Sequence, residues 1–242
     1  MTPTPRDIPA PFWDHIEELR ATLIKSFLII FTGALIAFFN YKALFQLLTA
    51  PFSYVSHNQL VLLGPTDGLT TILKVCFWSS AAVTSPLWSL FLFQFISPAL
   101  KENQRRFVIP FFITSFALLT AGILFAYHLT IPLANELLFG INQTIAENLW
   151  TLSSYLDYSL GLLFANAIAF EAFVILFFLV HLGSISHTQL KSKRRHVIVA
   201  IFTLSAILTP PDVLTQLLLA IPLTVLYEAV TLYSRLCKQN SN

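Results

Sequence analysis

Six apolar runs dominate the chain, at residues 23–39, 69–96, 107–129, 158–182, 197–208 and 213–232. About 20 helical residues cross a hydrocarbon core of roughly 30 Å. In lipid every backbone N–H and C=O must find its partner within the protein, so such runs are predicted to be helices. The first four are long enough. The fifth has 12 residues, and at about 1.5 Å per residue it reaches only about 18 Å. The sixth is interrupted by Pro222. With 56% hydrophobic and 11% charged residues, the chain carries under half the charge of a soluble domain, which is about a quarter charged. Its main solvent is therefore lipid. The prediction is an all-α polytopic membrane protein with six transmembrane helices, the fifth and sixth short.

Lys and Arg placement sets the orientation. Arg6, Arg20 and Lys25 flank the first run. Lys101, Arg105 and Arg106 follow the second, Lys191, Lys193, Arg194 and Arg195 precede the fifth, and Arg235 and Lys238 end the chain. These are 12 of the 14 basic residues. They share one side only if the fifth and sixth runs form a complete hairpin, which places both termini in the cytoplasm. The first 20 residues are too charged for a cleavable signal, so the first run is expected to be an uncleaved anchor. Residues 1–22 read as a cytoplasmic tail. Its Phe12, Ile16 and Leu19, with Leu23, recur at helical spacing, which predicts a short amphipathic helix that lies on the membrane surface and runs into the first span. Residues 23–234 read as a six-helix bundle, and residues 1–242 as one domain.

The turn between the last two runs is Thr209-Pro210-Pro211-Asp212. Two prolines forbid a continuous helix, and Asp212 is placed to cap the next one. Glu171 lies mid-way along the fourth run, where an ionised carboxylate costs at least ~2.5 kcal/mol. It needs a proton, a partner or a wet cavity, and Gln216 on the sixth run is a candidate partner. The plainer reading is a protonated Glu that ties helices together.

Several functions are excluded. A net charge of +2 does not suit nucleic acid, and Cys76 and Cys237 are too few for a disulfide framework. GxSxG, HExxH and a phosphate-cradling glycine loop are all absent. No catalytic residue, metal or cofactor is expected.

Several motifs occur in a fixed order. His15-Ile16-Glu17-Glu18-Leu19-Arg20 precedes the first run and Ala50-Pro51 follows it. Gly64-Pro65-Thr66-Asp67 opens the second, Phe95-Ile96-Ser97-Pro98 closes it, and Arg105-Arg106 come after. Phe170-Glu171 lies within the fourth, then the Pro210-Pro211-Asp212 turn with Gln216, then Leu226-Tyr227-Glu228. In this ordered set the chain resembles the TatC family, receptor subunits of the twin-arginine protein translocase. The resemblance implies a receptor in the cytoplasmic (inner) membrane for signal peptides bearing paired arginines. It also implies TatA- and TatB-type single-span partners, an oligomer in the bilayer, and export of folded cargo driven by the proton motive force. Signal-peptide binding would fall to Glu18, Arg20, Phe95 and either Glu102 or Gln104. Glu171, with Gln216, would meet a partner helix on a concave, water-accessible face. Pro210, Pro211 and Asp212 would be structural.

The chain departs from the family pattern at three places: Gln104 replaces a glutamate, Thr22 an arginine and Phe173 a proline. The last implies a straighter fourth helix. For Glu18 the plainer reading is a surface charge paired with Arg20 or Lys25. A second functional class is a proton-coupled transporter with Glu171 as carrier, which calls for more polar residues at mid-membrane. A third is an intramembrane enzyme, which needs a nucleophile–base or metal pair at depth.

Overall fold

The computed structural model describes residues 12–55, 60–96, 108–145, 148–209 and 212–239. Its helices are α1 (Phe12–Phe39), α2 (Tyr41–Ser53), α3 (Asp67–Val83), α4 (Ser85–Ile96), α5 (Val108–Phe125), a π turn (Ala126–Thr130), α6 (Ile131–Gln143), α7 (Leu152–His181), α8 (His187–Leu208) and α9 (Val213–Gln239). Four stretches are long and apolar enough to span a bilayer: Ile16–Phe39, Ile109–Gln143, Leu152–His181 and Val213–Leu236. Asp67–Val83 and Ser85–Leu92, bent by 58° at their junction, are together long and apolar enough to count as a fifth if taken as one span. In α8 the residues from His187 to His196 are strongly polar, and the apolar part begins at Val197.

Helix α7 is the axis of the bundle, with 61% of its apolar window buried against 6% for α1. A Schellman turn closes it. Gly183 has φ +76°, the Gly183 N–H donates to Val180 O at 3.0 Å and the Ser184 N–H to Leu179 O at 2.9 Å. Ser186 then starts α8 with a capping box against Gln189. At the other end of α7, Phe52 of α2 packs on Tyr155 and Trp150. There the Tyr155 and Tyr127 hydroxyls donate to Leu48 O and Leu47 O. Because α2 directly follows α1, the start of α1 points to the opposite end, where α8 carries its basic residues.

Several sequence expectations change. The second run is two helices bent by 58° around Thr84. Pro86 has no N–H for Ala82 O, and its ring crowds the preceding turn. The Trp88 indole N–H donates to Ala81 O at 3.0 Å, so a carbonyl at the break is satisfied. The third run does not stop at residue 129 but continues to Gln143. Pro132 is accommodated by widening the preceding turn into a π turn. The sixth helix is not interrupted at Pro222: α9 runs 27 residues through it. Between the first two runs lies α2, a 13-residue helix. The amphipathic segment runs into the first span without a break, since α1 is continuous over 28 residues. Helix α7, with Phe173 in place of proline, is unbroken over 30 residues.

Candidate functional site

The 58° bend at Thr84 swings the start of α4 onto α7. Ser85 and Ser89 lie four residues apart, on one face of α4. Both are buried, and α5 supplies a third buried serine, Ser115. Together they enclose Glu171, which is 2% exposed. The Ser115 hydroxyl donates to the carboxyl group, 2.8 Å from each oxygen. Ser85 Oγ lies 3.3 Å from Oε1, and Ser89 Oγ lies 3.4 Å from Ser115 Oγ. Close backbone approach makes this possible. A Cβ on Gly122 of α5 would come within 3.0 Å of the Phe170 ring and 3.1 Å of Asn166 O, so only glycine fits there without a shift.

The expected open, wet face at Glu171 is therefore closed here. Its hydrogen-bond partners are hydroxyls, which can turn to other acceptors, rather than a fixed cation. Gln216 is not among them: its side-chain amide donates to Phe202 O at 3.1 Å, joining α9 to α8. Gln216 lies only one turn into α9, whereas Glu171 lies deep in α7. Asn166 lies on α7, and its Nδ2 donates to Leu162 O. The serines were missed because a serine in an apolar run carries no strong signal. The available clue was the i, i+4 pair Ser85 and Ser89 astride Pro86.

The expected peptide-binding residues are more dispersed. Glu18 and Arg20 are exposed on α1. Glu18 lies one turn before Thr22 and two before Ser26, both buried, so it continues the stripe on α1 that faces the bundle. Thr22, in place of the family's arginine, fits this buried stripe, and its carbonyl accepts from Ser26 Oγ. Phe95 is half-buried near the end of α4, which packs along α1. Glu102, Gln104, Pro210 and Pro211 lie outside the described residues. Asp212 does cap α9: Oδ1 accepts the Thr215 N–H at 2.7 Å and Oδ2 the Thr215 hydroxyl. Thr209 before it is extended, as a residue preceding proline should be.

At the end where α8 carries its basic residues, α8 and α9 are fastened by Arg194 to Glu228 at 2.6 Å and by the Tyr227 hydroxyl to Leu190 O at 2.7 Å. Toward the other end, Lys74 of α3 makes a two-oxygen ion pair with Asp157 of α7. Among the described residues, no three His, Cys, Asp or Glu side chains converge as metal ligands would.

Comparison with known proteins agrees with this architecture. The family of Sec-independent protein translocase protein (TatC) matches residues 14–222. A TatC protein of Desulforapulum autotrophicum is 32% identical over 90% of this chain and 82% of its own. One from Aquifex aeolicus is 37% identical over 90% and 92%. A crystal structure described as the twin-arginine translocase receptor TatC superposes with a TM-score of 0.79 at 36% identity, covering 93% of this chain and 99% of that one. Sharing sequence and fold with these proteins over nearly its whole length, the chain is a multi-pass membrane protein of the TatC family of Sec-independent protein translocase subunits.

Proposed function

We propose that this subunit is the receptor that takes up twin-arginine signal peptides at the cytoplasmic membrane and passes folded cargo to small single-span partners. The observation that carries this reading is Glu171: a deeply buried carboxyl group held by serine hydroxyls, beside a helix break. A polar side chain on an incoming helix can replace a serine hydroxyl with little net change in hydrogen bonding, since such interhelical bonds average about 0.6 kcal/mol. The closed serine pocket is then the unengaged form of a site for a TatA- or TatB-type helix. Gln216, tied to α8, belongs to the hairpin and not to that pocket.

Peptide recognition falls to the other end of α1. A carboxylate at Glu18 accepts forked hydrogen bonds from a guanidinium, a geometry that an ammonium cannot match. Phe95 offers an aromatic edge near it, Arg20 flanks it, and Glu102 or Gln104 supplies the second acceptor. Six spans, the fifth made by the apolar half of α8, put these residues and both termini on the cytoplasmic side. The complex works as an oligomer, with the proton motive force as its energy source. The relatives are translocase subunits, which favours this reading over a transporter with Glu171 as proton carrier.

Site-specific photocrosslinking tests the assignment. A crosslinker at position 18 is expected to capture a twin-arginine signal peptide, and one at position 171 a single-span partner. Capture of the signal peptide at neither position during active export would overturn the receptor role.

A further inference from the structure

Where α7 ends, a cavity of about 280 Å³ opens between the 182–186 turn, the first half of α8 and α9. Leu176, Ile185, Leu190 and Val197 give it apolar walls, and Tyr227 closes one side. The Tyr227 hydroxyl is already committed to Leu190 O, and Gln189 to the cap of α8. Among the described residues, Lys193 is the one charged residue on the cavity's lining. It lies one turn before Val197, where α8 passes from charged to apolar sequence.

The charges around it are one-sided. Lys191 and Arg195 flank Lys193 and are exposed. The facing acid on α9, Glu228, is taken up by Arg194. His187 is engaged with Ser234, His181 with Tyr233, and His196 is exposed. Among the described residues no carboxylate is paired with Lys193. An apolar slot with an uncompensated cation at its rim, at the depth where a helix leaves hydrocarbon, matches one ligand chemistry. That chemistry is an acyl chain joined to a phosphate, and basic pockets between membrane helices bind such headgroups. A zwitterionic headgroup would bring its own cation against Lys193, and a neutral one would leave it unmatched.

We propose that this cavity is a binding site for an anionic phospholipid, with one acyl chain lying along Leu176 and Val197 and the phosphate on Lys193. The site is separate from the Glu171 pocket and does not depend on the export reading. A lipid held there would brace the junction of α7, α8 and α9.

The test is native mass spectrometry of the full chain in nonionic detergent, titrated with phosphatidylglycerol and with phosphatidylcholine of the same acyl chains. Phosphatidylglycerol should bind more tightly. Lys193→Gln should weaken it about fivefold, the worth of one basic residue near a membrane surface, and leave phosphatidylcholine unchanged. Lys193→Arg should retain the preference, and Lys191→Gln should alter it little. Val197→Trp, which fills the slot, should weaken both lipids. The proposal fails if Lys193→Gln binds phosphatidylglycerol as the parent does, or if the two lipids bind equally. It also fails if excess inorganic phosphate displaces the lipid, since the site would then be for a free anion.

Discussion

Glu171→Ala is expected to leave the bundle folded and to abolish export of a twin-arginine reporter. The structural cost is small because Ser115 and Ser85 lose one acceptor and can adopt another. A hydroxyl in a helix can bond the carbonyl four residues back, as Ser26, Thr32, Thr84 and Thr203 already do in this chain. Losing the Ser115 and Ser85 contacts should cost on the order of 1 kcal/mol, in line with measured interhelical hydrogen bonds. Thermal unfolding in detergent should therefore shift little. Function is another matter, since no described side chain near that depth can replace the carboxyl group for a partner helix. Glu171→Gln keeps the length and one acceptor oxygen, and should retain part of the export activity. Full export by the alanine variant would refute the role.

The second large effect is expected at Glu18. Changing it to Gln removes the charge and keeps the shape. A hydrogen bond to a charged group is worth about 1.5–3 kcal/mol, so affinity for a labelled twin-arginine peptide should fall roughly 10- to 100-fold. Glu18→Arg should weaken it further, because two guanidiniums would then meet a third. Fluorescence anisotropy with protein in lipid nanodiscs reads both. The parent affinity should also decline with salt, because Glu18 is exposed and its field is screened. Were Glu18 only a surface charge, the Gln variant would bind as the parent does.

Local chemistry was the most legible part of the sequence. Asp212 announced a helix start, and the structure has its carboxylate on the Thr215 N–H. The polarity of the segment before Val197 and the proline turn framed α8 and α9. Glu171 stood out because a carboxyl group in an apolar run is costly. Its surroundings were not legible. Ser115 and Ser85 lie 56 and 86 residues away along the chain, and periodicity reveals which face a residue occupies, not which helix adjoins it. That is why Gln216, and not the serines, is the candidate partner in the sequence.

Proline was the other source of error, because its outcome depends on neighbours. Pro86 breaks a span where Trp88 can satisfy a released carbonyl. Pro132 is absorbed by a π turn, and Pro222 lies within an unbroken α9. All three remove one N–H, and packing around each decides the result. Helix α2 was hidden for a related reason: its 13 residues are too few to span, and its burial comes from Trp150 and Tyr155, about a hundred residues later.

Reception of a twin-arginine peptide is tested most directly by titrating the purified protein with a signal peptide and with its twin-lysine counterpart. Net charge, length and hydrophobicity are unchanged between the two, and only the planar fork of the guanidinium is lost. The predicted result is tight, saturable binding of the arginine peptide and a loss of at least tenfold for the lysine one. Equal affinity for both would contradict the assignment.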